Sequence, residues 1–471
     1  MFGCHYQKEL ENRMPGMTLE NIAKACEGTY VGSDEHLKDY ITGAVTDSRK
    51  VHLHNLFIPI KGERVDGHDF IPEVFEKGAL AVLSEHELTE PAGPYILVES
   101  TTEAMKKLAA FYRNQLDIKV VGITGSVGKT STKEMIASVL EQKYAVLKTE
   151  GNFNNEIGLP LTIFQIRATH EVAVLEMGIS DFNEMHRLAA MANPDICVIT
   201  NIGLCHLENL GTRDGILKAK TEVFEHMRPD GSVILNGDDD KLCTKQVVNG
   251  KPSIFYGIRQ GQNKGIYATD IKNHGLRGME AEIHTPQGDF AVKIPIPGEH
   301  NVYNALAATA VGQQMGLSIE EIARGIERTK TIAGRTNVIE TSGMLVIDDC
   351  YNANPVSMKA SIDVLAHTEG RKIAVLGDMG ELGEDERKMH HDVGTAVKET
   401  GIDVLFCAGK LAKEYVDAAS GGDCDVYYFK TSEDLIPELC SFVKAGDAIL
   451  VKASHFMNFP KVVEALTTLA K

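Results

Sequence analysis

The stretch with the clearest chemistry is Val120 to Glu134, VVGITGSVGKTSTKE. Gly125, Ser126, Val127 and Gly128 fill a tight loop, and Lys129, Thr130 and Ser131 follow it. Ahead of the loop, Val120, Val121 and Ile123 read as a buried strand. Behind it, Met135, Ile136, Val139 and Leu140 recur at the spacing of an amphipathic helix. A strand, a glycine turn and Lys-Thr at a helix start make a phosphate cradle, because free backbone N–H groups and the helix dipole converge on an anion. Lys129 would reach the terminal phosphates, and the Thr130 hydroxyl would sit on Mg²⁺. The standard spacing GxxxxGK[ST] asks for glycine where Ile123 stands, and only two residues separate Gly125 from Gly128. The alternative is a glycine-rich turn with a surface lysine; the strand-loop-helix context favours phosphate.

Other candidates fall at neighbouring strand ends. EVAVLEMG carries Glu176 at its C-terminal end, and DICVITNIG ends at Asn201 with His206 in the next loop. In open α/β sheets ligands gather at the carboxyl ends of the strands. Glu176 and Thr130 offer the oxygen ligands Mg²⁺ prefers. His206 is a less usual Mg²⁺ ligand and reads equally as a capping or packing histidine. Asn154 and Asn155 lie in GNFNNEIGLP, a segment whose Asn and Gly content marks a shaped loop. Lys220, on the helix GILKAKTEVFEHM, reads as a solvated lysine. The loops Thr46-Asp47-Ser48-Arg49 and Lys61 to Asp69 read, alone, as a polar strand end and a solvated hairpin.

Composition sets bounds. A chain of 471 residues holds two to four domains. A net charge of -18 argues against a nucleic-acid or anionic-membrane surface, so local Lys, Arg and N–H groups must hold any anionic substrate. Nine scattered cysteines without a CxxC pair read as a reduced cytosolic chain, not a disulfide scaffold or zinc site. No apolar run reaches the roughly 18 residues of a membrane span. The N-terminal MFGCHYQKELENRMPG is charged, without the apolar centre of a signal peptide. Met17 begins the first amphipathic pattern, so residues 1–16 read as an extension.

The pattern implies an α/β protein of three domains. Residues 1–99 form a small α/β unit: a helix in MTLENIAKAC capped by Thr18, strands in ITGAVTDSR, NLFIPIKG and ALAVLSE, and a helix in FIPEVFEKG. Residues 100–330 form the central domain around the phosphate loop. SIFYGI, GIYATDI, MEAEIHT and DFAVKIPI alternate like antiparallel strands, with Gln287-Gly288 as a hairpin turn, and read as a small appended sheet. Pro297 to Asn301 then enters the Ala-rich helix VYNALAATAV. After the linker TKTIAGRTN, residues 331–471 alternate strand and helix as a parallel, doubly wound, Rossmann-like sheet. Its first strand lacks a following GxGxxG, so dinucleotide binding is not indicated.

Ten motifs in order resemble the Mur ligases, the ATP-dependent amide-forming enzymes of peptidoglycan precursor synthesis. They are TDSR at 46–49, KGERVDGHDF at 61–70, TGSVGKTSTKE at 124–134, GNFNNEIGLP at 151–160 and LEMG at 175–178. They continue with HLE at 206–208, KAKTEVF at 218–224, GEHNVYNALAA at 298–308, DDCYNANPVSM at 348–358 and GDMGELG at 377–383. The family's loop is TGxxGKT, which accounts for the short spacing. The resemblance implies a UDP-binding first domain, using Ser48, Arg49 and the Asp66-Gly67-His68 loop. It implies a central domain holding ATP on the phosphate loop, with Thr130 and Glu176 on Mg²⁺ and His206 on a second Mg²⁺. Lys220 aligns with the lysine carbamoylated in relatives, where a carbamate could approach metal. His300, Asn301 and Asn304 would contact adenine, and Arg335 and Asp349 would close on the nucleotide, Asp349 at the ribose. Asn154 and Asn155, with Asn352 and Asn354, would line the substrate side.

The NNEIG loop and the DDCYNANPVSM stretch are similar to the dipeptide-adding branch. That implies UDP-N-acetylmuramoyl-tripeptide and D-alanyl-D-alanine as substrates, joined through an acyl phosphate, by a cytoplasmic monomer. Two positions depart from the family pattern: Cys350 stands where Ser is usual, and His455 stands where Arg is usual, a weaker and pH-dependent partner for a carboxylate. A sister ligase adding a single amino acid is the nearest rival. A regulatory ATPase that makes no bond is another, but it leaves the TDSR domain unexplained.

Overall fold

The computed structural model describes residues 13–258 and 265–469, organised on three large sheets. The first contains β1 (Thr29–Val31), β2 (Gly43–Val45), β3 (Asn55–Phe57), β4 (Ala81–Ser84) and β5 (Tyr95–Leu97), in the order β1-β5-β4-β3-β2. Only β1 runs antiparallel to its neighbour. The expected first helix spans Leu19–Ala25, and the Thr18 hydroxyl accepts the Asn21 N–H at 3.3 Å. Strands β1 and β5 are three residues each, too short to show a period in the sequence. Met14 packs in the same core as Met17, Leu56 and Ile96, so the extension reading fails at its inner end; residues 1–12 lie outside the described residues.

The central sheet has nine strands. In chain order they are β6 (Lys119–Thr124), β7 (Val146–Lys148), β8 (Val172–Glu176), β9 (Ile196–Ile199) and β10 (Ser232–Asn236). Past a short hairpin, β11 (Val247–Val248) with β12 (Lys251–Pro252), come β13 (Ile254–Gly257), β14 (Ile266–Asn273), β15 (Met279–Thr285) and β16 (Gly288–Ile294). The spatial order is β16-β15-β14-β13-β10-β9-β6-β8-β7. The appended antiparallel segment is joined edge to edge with the central sheet, and its first strand is corrected from antiparallel to parallel. β13 pairs in parallel with both β10 and β14, so β14–β16 extend the central sheet. The physical reason is one apolar face running from Val121 and Val198 through Ile234 and Tyr256 to Ile266 and Ala281. The helices Lys129–Leu140 and His300–Gln314 cover that face. A third helix, Ile319–Glu327, approaches so closely that a Cβ on Gly325 would lie 2.4 Å from the Val139 Cα. The opposite face, with Val120, Ala173, Leu175 and Cys197, shares its core with the first domain.

The third sheet holds β17 (Asn337–Thr341), β18 (Met344–Asp348), β19 (Arg371–Gly377), β20 (Val404–Ala408), β21 (Asp425–Phe429) and β22 (Asp447–Lys452). Their order is β17-β18-β22-β19-β20-β21. Five strands are parallel with separate cores on the two faces, as a doubly wound sheet requires. The exception is β17, an antiparallel edge strand directly after the linker. No described helix is long and apolar enough to cross a membrane.

Candidate active site

Backbone conformation makes the phosphate loop. Gly125 has φ 148°, and a Cβ there would lie 1.9 Å from the Thr200 hydroxyl oxygen; Gly128, at φ 83°, caps the helix Lys129–Leu140. The end of β9 ties the loop down. Ser126 N–H donates to the Asn201 carbonyl and Val127 N–H to the Asn201 side-chain oxygen, each at 3.0 Å. The Val127 carbonyl accepts from Thr200 Oγ1 at 2.6 Å and Asn201 Nδ2 at 3.0 Å. The first-turn N–H groups of the helix have no intrahelical acceptor and remain for an anion. The Lys129 ammonium folds back over the loop to the Gly125 carbonyl, 2.9 Å away.

A polar cavity of about 610 Å³ opens above this loop. Ser126 to Thr130, Asn154, Asn155, Glu176 and His206 wall it from the central domain, and Arg335, Tyr351, Asn352 and Asn354 from the third. Glu176 is buried. Its Oε1 accepts from Asn154 Nδ2 at 2.8 Å, while its Oε2 has no hydrogen-bond partner among the described residues. The Lys133 ammonium stands 4.0 Å from that free oxygen and donates to the Thr149 carbonyl at 2.6 Å. Asn155 accepts Gly158 N–H at 2.8 Å and so starts the helix Gly158–Ile163; Asn354 likewise caps Pro355–Ala366, accepting Ser357 N–H at 2.9 Å.

His206 lines this cavity and reaches across the domain boundary, its Nδ1 2.6 Å from Glu381 Oε2. The bond from His206 holds the Glu381 carboxyl below its usual range. The solvated reading of Lys220 is corrected: the side chain is 1% exposed, and burial, aided by the Lys129 charge, pulls its ammonium down to about 8. Cys205 opposes that shift. Lys220 does not itself line the cavity.

A second cavity of about 820 Å³ adjoins the other side of the loop, reached by Ser131, His300, Asn304, Arg335 and Asp349. Burial pushes the His300 imidazole below its ordinary value, so the neutral form prevails. Asn301, expected here, is not on the wall. It is buried, donates to the Pro297 carbonyl at 2.8 Å and accepts from Asn304 Nδ2 at 2.9 Å. Asn304 in turn accepts from the Thr132 hydroxyl at 2.8 Å, so the pair ties the start of one helix to the phosphate helix. The ribose expectation for Asp349 meets a carboxylate that is already satisfied. Its Oδ1 accepts Thr336 N–H at 3.0 Å, and its Oδ2 meets Lys452 Nζ at 2.6 Å and the Ser361 hydroxyl. Burial works against ionisation, but Lys452 and Ser361 keep this carboxyl below its usual range. Arg335 lines both cavities, with its guanidinium 4.0 Å over the Tyr351 ring and its buried Nε without a partner among the described residues.

A third groove of about 840 Å³ runs between the first and central domains, past Thr46, Asp47, Lys50, Phe153 and Phe164. Ile157 lines both this groove and the polar cavity, so the two adjoin at that side chain. The residues expected to bind substrate in the first domain are not gathered on it. The Ser48 carbonyl accepts from Lys77 at 3.0 Å, and Arg49 points to solvent with its guanidinium on Asp47 at 2.8 Å. Asp66 caps the turn Gly67–Phe70, and His68 turns inward, its Nδ1 2.7 Å from Asp66 while its Nε2 accepts Glu85 N–H at 3.2 Å. A Cβ on Gly67 would lie 2.6 Å from the Ile60 nitrogen. Lys133, Asn201 and Lys452 were not foreseen as site residues. The available signal was position: Lys133 lies one helical turn after Lys129, and the other two end central strands.

Three α/β domains meeting at a phosphate loop, with an unpaired buried carboxylate beside it, define a nucleotide-dependent enzyme. The Mur ligase middle domain matches residues 123–312, the glutamate ligase domain of Mur ligases matches 334–455, and the Mur ligase family catalytic domain matches 40–113. The UDP-N-acetylmuramoyl-tripeptide--D-alanyl-D-alanine ligase of Bacillus subtilis is 40% identical over 456 residues, covering 95% of this chain and 98% of its own. A crystal structure of MurF from Acinetobacter baumannii superposes with a TM-score of 0.88 at 33% identity, over 97% of this chain and all of that one. The MurF ligase of Thermotoga maritima in complex with ADP gives 0.79 at 32% identity, over 90% and 97% of the two chains. The chain belongs to the Mur ligase family.

Proposed function

We propose that the chain joins D-alanyl-D-alanine to UDP-N-acetylmuramoyl-tripeptide at the expense of ATP, giving the pentapeptide precursor of peptidoglycan. The observation that carries the reading is the polar cavity. It gathers the phosphate loop, Glu176 and the Asn154-Asn155 turn around one space, and it adjoins the groove along the first domain at Ile157.

A carboxylate is a poor electrophile, so its carbon must first carry a better leaving group. Attack of the tripeptide's terminal carboxylate on the γ-phosphorus of ATP forms an acyl phosphate and releases ADP. The dipeptide amine then attacks the acyl carbon, loses its proton, and expels phosphate from the tetrahedral intermediate. Lys129 and the free N–H groups of the first helical turn neutralise the transferring phosphoryl group. Asn154 holds Glu176 in place, and Arg335, with a donor to spare, swings with the third domain to close the nucleotide side and exclude water.

The donor set fits Mg²⁺: Glu176, which keeps a buried carboxylate oxygen without a partner among the described residues, and Thr130 line the same cavity. Glu176 and Thr130 would hold the ion, with His206 and a carbamoylated Lys220 at a second position. When bound, Mg²⁺ offsets the phosphate charge that would repel the incoming carboxylate. Lys220 suits carbamate formation, since its lowered proton affinity supplies the neutral amine that attacks CO₂. His300 and Asn304 serve the nucleotide cavity; Asn352 and Asn354 serve the substrate side; Ser48, Arg49 and the Asp66–His68 turn take up UDP after rearranging.

Phosphate release tests this reading, with UDP-muramoyl-tripeptide in its lysine and diaminopimelate forms and D-alanyl-D-alanine supplied singly and together. Release only with both, and a UDP-pentapeptide by mass, is the expected result. Release with neither, or only with a single amino acid, overturns it.

A further inference from the structure

Away from the three cavities described above, three ligating side chains converge on the outside of the central domain. His186 lies on the exposed side of the helix Glu184–Ala192, and Glu225 and His226 are consecutive in the turn Glu222–His226, which follows the helix bearing Lys220. His186 Nδ1 is 2.8 Å from Glu225 Oε2, and His226 Nε2 is 3.2 Å from His186 Nδ1. The two imidazoles meet edge to face with centroids 4.3 Å apart. One nitrogen or carboxylate oxygen from each of the three residues lies within 4.8 Å of the others. A tetrahedral zinc ion, with bonds of about 2.0–2.1 Å, sets its ligand atoms about 3.3 Å apart, close to the 2.8 Å and 3.2 Å already found from His186 to Glu225 and His226 and within reach of small side-chain rotations for the third pair.

We propose that His186, Glu225 and His226 form a binding site for a divalent transition ion of the zinc type, separate from the reaction site. Two imidazoles and one carboxylate favour such an ion over Mg²⁺, which takes oxygen ligands. At present the two rings can share only a proton, and a cation would take its place and satisfy all three groups at once. The site is preset from behind: Glu222 accepts the backbone N–H groups of Asn183 at 3.1 Å and His186 at 3.3 Å, fixing the start of the helix that presents His186. None of the three side chains lines any of those three cavities, whereas Glu184, two residues before His186, lines the polar one. A bound ion would therefore staple a wall of the reaction site to the segment that follows Lys220.

The test uses the untagged full chain in excess Mg²⁺, titrated with zinc chloride by calorimetry and followed by thermal unfolding. Cobalt(II) substitution supplies a visible ligand-field spectrum that reports imidazole coordination. The expected result is one zinc per chain, a rise in melting temperature with zinc, and binding weakened about tenfold or more in His186→Ala and in His226→Ala. Glu225→Gln, nearly isosteric, should weaken it as well while leaving zinc-free turnover unchanged. An affinity that persists in the His186→Ala/His226→Ala double variant, or no binding by the parent chain, overturns the proposal.

Discussion

Glu176 and Asp349 are both buried carboxylates at the carboxyl end of a parallel strand, one in the central sheet and one in the third, and the fold treats them differently. Asp349 is saturated by Lys452, Ser361 and the Thr336 N–H. Glu176 keeps one oxygen without a partner and its nearest cation at 4.0 Å. A buried acceptor left unpaired is costly, so a fold retains one where a ligand will complete it. The comparison separates a carboxylate that holds the third domain together from one left open to a ligand, as the proposed role in holding Mg²⁺ requires.

Substitutions can break that contrast. Lys129→Ala should reduce turnover about 10²–10³-fold or more, with the unfolding midpoint unchanged. Glu176→Gln should act in the same way, and loss of stability instead of turnover would erase the distinction. Asp349→Ala should be the reverse case, destabilising the chain by about 3–5 kcal/mol because it strands the buried Lys452 ammonium; thermal unfolding measures this.

The pH dependence sharpens the comparison. The Asp349 carboxyl is lowered in the fold, so its contribution is fully present above the ordinary carboxylate range and is lost as pH falls through the folded value. Acid titration of unfolding should therefore be steeper below about pH 4 in the parent chain than in Asp349→Asn/Lys452→Met. Lys220 should move in the opposite chemical sense. Its amine is charged below about 8 and neutral above, so with ¹³C-labelled bicarbonate a carbamate resonance should grow as pH rises through that value and be absent from Lys220→Ala. The smallest effect belongs to Glu381→Gln. Its half-exposed contact with His206 is worth less than about 1 kcal/mol, visible as a small change in domain orientation by X-ray scattering and little change in melting temperature.

Much of this architecture is legible in the residues. The phosphate loop announces itself because glycine, lysine and an amphipathic helix are local features, and the alternating strands and helices of the third domain are equally local. What escapes is long-range. That β13 runs parallel, and so joins the appended strands to the central sheet, depends on pairing with β10, which no residue within the antiparallel segment encodes. Lys220 looks solvated on its own helix and is buried only because other elements cover it. Asn301 looks like a ligand residue by type, but its amide is spent on Pro297 and Asn304.

Arg335 belongs to two chambers at once, seated on Tyr351 at the junction. Free energy exchanged with it on one side is felt on the other, and thermodynamic reciprocity requires the influence to run equally in both directions. Filling the nucleotide chamber should alter the affinity for the peptide by the same factor by which the peptide alters the affinity for nucleotide. The two ligands would then be held more tightly together than either alone, through a single shared side chain.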